Sequence, residues 1–396
     1  MGIIKEVTIH GLSIPFEESV ETSWSKRSGT TIFLVELTTD SGIKGFGEMI
    51  CFFPIDLCQC TLQKMGEEIR DKDIAHTGVV GHRVLYGNSW MRTGHVNDLG
   101  AAAWAAFEMA MIDAQAKEAG KNIVDLFGGR LTNYMPVVAN LPIANFEKMA
   151  EEAKKLVAKG HRCLFVKAAK HNKSLDDDIA MLETIRNSVG NSIPLHVDVN
   201  GAWKLTTAIM AMREIKKRRI NLLCLEQPVM EASGLLSLRR KSQVPIGVNE
   251  LLGSPQSVIE CALHKIADVF VLDMYEVGGL RPLWYLAQFL ADANLTVVCR
   301  AHGGSSLGYI AALQVLSTCN GAPGPHQFYD RRKDTDLVRW QDNLKDGTVL
   351  LPENPGIGVD PDKGAIKEYA GRFNSGETYT IYASKSNQTI PNFPKY

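Results

Sequence analysis

Two hydrophobic rhythms divide the chain. In the first fifty residues, IIKEVTIHGLSIPF and TTIFLVELTTD alternate apolar and polar positions with a period near two, which predicts strands. SGIKGFGEM follows, and Gly42, Gly45 and Gly47 read as the turn punctuation of a β-meander. From Asn97 to Glu118 the rhythm lengthens. Ala101, Ala105, Phe107, Met111 and Ile112 recur near helical spacing, and Ala119 with Gly120 ends the predicted helix. Strands followed by a long helix make an α+β module.

From about Met135 the texture changes to short apolar bursts, each followed by an amphipathic stretch, the pattern of βαβ units in a parallel sheet. The bursts are MPVVANLP, CLFVKAA, LHVDVN, LLCLEQP, VPIGVNE, VFVLDMY and LTVVCRAH, with FEKMAEEAKKLVAKG and SPQSVIECALHKIA among the intervening helices. The polar residues ending five successive bursts, Asp198, Glu226, Glu250, Asp273 and His302, lie 28, 24, 23 and 29 residues apart, each about one βα unit. No GxGxxG opens a first helix, as a dinucleotide-binding open sheet would require. A closed barrel is therefore expected, with these side chains gathered at its C-terminal face. The tail from Glu368 is polar and turn-rich and does not read as another βα unit. The expected organisation is an α/β protein: a (β/α)7β TIM-like barrel over residues 131–365, capped by an α+β domain over 1–130, to which 366–396 returns.

Composition narrows the partners. With Lys+Arg 43 against Asp+Glu 44 and no long basic run, nothing favours nucleic acid. No apolar run approaches the about 20 residues of a membrane span, and MGIIKEVTIHGLSIPF reads as a strand and not as a signal peptide. The eight cysteines form no CxxC pair, so reduced thiols in a cytoplasmic protein are expected.

The chemistry lies at the strand ends. In LHVDVNGAW, Leu195, Val197 and Val199 face one way, so Asp198 and Asn200 emerge together where the strand stops. Any one acid at such an end is ordinarily a helix cap or an ion-pair partner. Three on adjacent barrel strands repel one another unless a cation intervenes, and an all-oxygen set suits Mg²⁺. Asp198, Glu226 and Glu250 are thus candidate metal ligands, flanked by Lys167 and His302, both able to carry protons.

The order of Lys167, HVDVNGAW, LEQP, the Glu250 strand end, LDMYEVGGL and CRAHGGSS resembles the enolase superfamily, specifically its mandelate racemase subgroup. SGIKGFGE, MIDAQAKEAGKNIVDLFGG and PENPGIGVD extend the resemblance over most of the chain. It implies Mg²⁺ on Asp198, Glu226 and Glu250. The mandelate racemase pattern places the third ligand five positions after Pro245, at Glu250; the muconate cycloisomerase pattern would place it at Asn249. The resemblance also implies that Asp273 hydrogen-bonds His302 as an acid/base dyad. Two positions depart from the family pattern. Its Lys-x-Lys becomes Phe165 and Lys167, with Lys170 a competing candidate for the base. A glutamate that often donates to the enolate oxygen is matched by Gln327.

The implied reaction is abstraction of the proton α to a carboxylate, with Lys167 and His302 on opposite faces. Dehydration of a hydroxy or sugar acid is the expected outcome. Racemisation, epimerisation or cycloisomerisation is the alternative, and a degraded, ligand-binding relative a further one. A zinc hydrolase on the same barrel would want an early HxH strand motif, which is lacking. Trp24, Asn200 and Gln327 are the expected substrate contacts, in a homo-oligomer acting on a small carboxylate.

Overall fold

The computed structural model describes residues 2–21, 25–86, 97–142, 144–169, 173–300, 303–327, 336–338, 344–379 and 388–389. The chain opens with an antiparallel meander, β1 (Ile4–Glu21), β2 (Ser25–Thr39) and β3 (Lys44–Ile50), with Ile9 opposite Val35 and Phe33 opposite Met49. Three helices follow: α1 (Ile55–Ile69), α2 (Thr77–Tyr86) and α3 (Asn97–Glu118). Helix α3 is buried nearly all round from Ala102 to Ala116, as a helix sandwiched between two layers must be.

The glycines of SGIKGFGEM divide into two kinds. Gly42, with φ of 81°, makes the turn. Gly45 and Gly47 instead lie within β3, in register with Leu37 and Val35. A Cβ on Gly45 would stand 2.1 Å from the carbonyl oxygen of Ala110, and one on Gly47 2.0 Å from that of Ala106. They bring β3 into backbone contact with α3, a role that a turn reading misses.

The barrel begins at β4 (Tyr134–Asn140) and alternates through α4 (Phe146–Ala158), β5 (Leu164–Lys167), α5 (Leu175–Val189), β6 (Leu195–Asp198) and α6 (Leu205–Lys217). It continues with β7 (Leu222–Glu226), α7 (Ala232–Lys241), β8 (Ile246–Val248), α8 (Pro255–Leu263) and β9 (Val269–Leu272). It ends with α9 (Met274–Val277), α10 (Leu280–Asp292), β10 (Thr296–Cys299), α11 (Ser306–Leu316) and β11 (His326–Gln327). Strands β4 to β10 pair in parallel with their sequence neighbours, and β11 pairs in parallel with β4, His326 opposite Val137. Seven βα units and an eighth strand thus form the expected (β/α)7β barrel. Capping boxes at Ser174 and Ser254 start α5 and α8, where their orphan N–H groups need acceptors.

Beyond the barrel, β12 (Leu344–Lys345) and β13 (Thr348–Leu350) form a hairpin that pairs with β4. The tail contains a regular helix, α12 (Lys363–Asn374), and a short strand, β14 (Gln388–Thr389), paired with β2. Helix α12 lies on β1: the Phe373 ring meets Phe33 edge-on at 5.7 Å, in the space that Gly11 leaves by lacking a Cβ. Among the described residues, no helix is long and apolar enough to cross a membrane.

Candidate active site

Strand register brings the first site residues together. Lys167 on β5 is aligned with Asp198 on β6, and Asp198 with Glu226 on β7, so three strand ends present side chains in one row. Just beyond, Asn200 and Gln227 hold φ values of 50° and 40°, left-handed conformations uncommon outside glycine and often concentrated at functional sites.

Asn200 is the hub of this corner. Its backbone N–H donates to Asp198 Oδ1 at 2.8 Å, and its amide donates to Asp198 Oδ2 at 3.2 Å and to Glu250 Oε1 at 3.0 Å. Its Oδ1 accepts from Lys167 Nζ at 3.0 Å, and the same ammonium is paired with Asp198 Oδ2. One amide therefore links the candidate base to two of the three acids, a structural role in addition to the expected substrate contact. Phe165 points the same way as Lys167, whose Nζ lies 5.1 Å from its ring centroid.

Glu226 is fully buried, and its Oε2 is held by the ring nitrogen Nε2 of His196 and by the amide of Gln327, the latter at 3.1 Å. His196 itself stands edge-on to Phe165, with centroids 5.1 Å apart, and among the described residues its buried Nδ1 has no hydrogen-bond partner. Glu250 reaches solvent at the barrel mouth, yet the surrounding protein crowds its carboxyl. That crowding, with the charges of Asp198 and Glu226, pushes its pKa up to about 7. Neighbouring Asn249 turns the other way: it is buried, donates to the carbonyl of Val271 at 2.8 Å and accepts from Arg300. Of the two candidates for the third ligand position, Glu250 faces the acids.

Asp273 is buried and caps α9, accepting from the Tyr275 N–H at 2.9 Å, while Arg300 Nε approaches its other oxygen at 3.4 Å. Burial raises its pKa, against the pull of Arg300. Its expected partner His302 lies outside the described residues, as do Trp24 and Lys170.

Sequence reasoning passed over three contributors. Arg300 follows β10 and donates to Asn249, Asp273 and Glu276, setting a permanent cation beside the acid ring. Burial opposes that charge, but Glu276 and Asp273 outweigh it and raise the pKa. Its position at a strand end, two residues before His302, was the available signal. His196 alternates with Asp198 and so points into the barrel, which the period of two did indicate. Glu48 on β3 closes the SGIKGFGE motif of the resemblance, but nothing near it in sequence points to its partner; it reaches Ser305 from 257 residues away.

As arranged, no group of three or more His, Cys, Asp or Glu side chains among the described residues converges to hold a metal ion. Asp198 is paired with Lys167, Glu226 with His196 and Gln327, and Glu250 with Asn200. The donor set nevertheless fits a hard divalent cation: three carboxylates at successive strand ends, where burial first, and then the charges of Asp198 and Glu226, raise the pKa of Glu250.

The chain matches known families across both parts. Residues 4–128 match the mandelate racemase / muconate lactonizing enzyme N-terminal domain, and residues 148–365 match the enolase C-terminal domain-like family. An N-succinyl-L-Arg/Lys racemase of Bacillus cereus is 25% identical over 382 residues, 92% of this chain and 97% of that protein. Muconate cycloisomerase 1-2 of Acinetobacter lwoffii is 29% identical, over 70% of this chain and 72% of its own. Among solved structures, the N-succinyl Arg/Lys racemase of Bacillus cereus superposes with a TM-score of 0.82 at 21% identity, covering 99% of this chain and 100% of that one. An enolase of Gibberella zeae complexed with magnesium, formate and sulfate superposes with a TM-score of 0.85 at 21% identity, over 96% of this chain and 93% of its own. Barrel and cap agree with these matches: the chain belongs to the enolase superfamily, in the mandelate racemase / muconate lactonizing enzyme family, and is one of its enzymes.

Proposed function

We propose that the chain is a Mg²⁺-dependent isomerase of a small carboxylate, moving the proton α to the carboxyl group, with racemisation or epimerisation the outcome in preference to dehydration. The observation that carries this is the linked corner of Lys167, Asp198, Asn200 and Glu250 at the barrel mouth, which sets a proton-carrying amine against the acids. The relatives named above are a racemase and a cycloisomerase, which supports isomerisation over loss of a β-hydroxyl.

In this reading Asp198, Glu226 and Glu250 hold Mg²⁺, which when bound supplies Lewis-acid stabilisation of the charge that develops on the substrate carboxylate. Lys167 Nζ carries the proton on one face. Its pairing with Asp198 and Asn200 fixes the amine and keeps its flexible stem from sampling other positions. His302, oriented by Asp273, serves the opposite face. Gln327 and His196 hold Glu226 in one orientation from behind.

The test is a panel of N-acylated amino acids, dipeptides and hydroxy acids incubated with the Mg²⁺-loaded protein in D₂O. Deuterium at the α-carbon with inversion, without keto-acid, is the expected result. Keto-acid formation would restore dehydration, and neither exchange nor product across the panel would favour a ligand-binding relative.

A further inference from the structure

Glu48 belongs to the cap, yet its carboxylate is buried between two segments of the barrel. Its Oε1 accepts the Tyr275 hydroxyl at 2.5 Å and the Ser305 N–H at 2.8 Å, and its Oε2 accepts the Ser305 hydroxyl. Tyr275 lies two residues after Asp273 and donates its own N–H to that side chain; Ser305 lies three residues after His302 and caps α11. A single cap residue thus grips both acid/base-bearing segments.

The barrel is shaped to receive it. A Cβ on Gly304 would fall 2.5 Å from Glu48 Oε1 and 2.5 Å from the Tyr275 hydroxyl; one on Gly308 would fall 2.5 Å and 2.2 Å from the same two atoms. Both positions must be bare for the carboxylate to enter. A second cap residue supports the first: Thr30 donates its hydroxyl to the Gly303 carbonyl at 2.7 Å. Among the described residues, no cation hydrogen-bonds Glu48, so its partners are neutral donors only. Burial raises its pKa against those hydrogen bonds. A buried acid without a counter-charge is costly to keep unless its geometry is wanted.

We infer that Glu48 is a positioning residue that latches the cap to the Asp273 and His302 segments and so sets the alignment of the acid/base pair. This rests on the α-proton-transfer reading above, but its physical arm stands without a substrate. Amide hydrogen exchange is followed by mass spectrometry over 273–279 and 303–308 in wild-type, Glu48→Ala, Glu48→Gln and Tyr275→Phe proteins. Turnover is measured in parallel. Glu48→Ala is expected to speed exchange in both segments by roughly 10-fold or more and to lower kcat by a similar factor with KM little changed. Glu48→Gln, which keeps an acceptor for Tyr275 and Ser305, is expected to restore both. If Glu48→Ala does not fold, Tyr275→Phe carries the test by removing one donor, with a smaller change of the same sign expected. Wild-type exchange in the folded Ala or Phe variant would overturn the latch, as would a Gln variant no better than Ala. A panel without any substrate would sink the enzymatic reading while leaving the exchange result to judge the latch.

Discussion

Gln327 donates its side-chain amide to Glu226 at 3.1 Å, on the oxygen that His196 also holds. The glutamine expected to face the substrate therefore spends a donor on a candidate metal ligand. Replacing Gln327 by Leu should weaken Mg²⁺ binding by about 10- to 100-fold, the usual cost of losing a partner behind a metal ligand. Calorimetric titration of Mg²⁺ into the variant checks this, and an unchanged affinity would show that the amide does not position Glu226.

Lys167 and His302 should separate by face. Lys167→Ala is expected to reduce interconversion of substrate enantiomers by about 10²-fold or more while leaving α-proton exchange of one enantiomer, served by His302. Proton NMR in D₂O reads both rates. If both enantiomers still exchanged at the wild-type rate, Lys167 would have no proton to move.

Glu108 on α3 makes stability depend on pH. It is buried against the N-terminus of α10, accepting from the Arg281 N–H at 3.3 Å, and burial lifts its pKa from 4.5 to about 7. The folded chain thus holds this proton more tightly than the unfolded one, so the contribution is greatest below pH 4.5 and is lost as the pH rises to about 7. The loss amounts to about 3 kcal/mol. Glu108→Gln should flatten that part of the profile in urea titrations; a slope identical to the wild type would refute it.

Gly47→Ala should destabilise the cap. Its Cβ would lie 2.0 Å from the Ala106 carbonyl oxygen on α3, and two packed backbones have little room to give. A cost of about 1–3 kcal/mol is expected, readable as a lowered melting temperature. A wild-type melting temperature would mean that the strand and helix can part freely.

What could be read in advance followed the range of the signal. The period of two in LHVDVN announced both the buried face and the inward Asp198, because a strand's geometry is written in its own residues. The spacing of βα units located Glu226 and Glu250 for the same reason. Glu48 sat in a motif of the resemblance, SGIKGFGE, but its role could not be read there, since its partners Tyr275 and Ser305 lie 227 and 257 residues away. Gly45 and Gly47 misled because a glycine's need for space looks in sequence like a glycine's freedom to turn. The choice between isomerisation and dehydration was out of reach for another reason: it depends on whether the substrate has a β leaving group, which no residue spells out.

Helix α12 and strand β14, near the end of the chain, complete a domain begun by β1 and β2. In topological terms the barrel is inserted into its own lid. Such a lid cannot be cut away as one continuous segment, and it cannot close its hydrophobic face until the ribosome has delivered residues 363–374. The barrel strands precede α12 in the chain and can pair as they are made, but the face of the cap that Phe373 covers against Phe33 stays open until residues 363–374 have followed them.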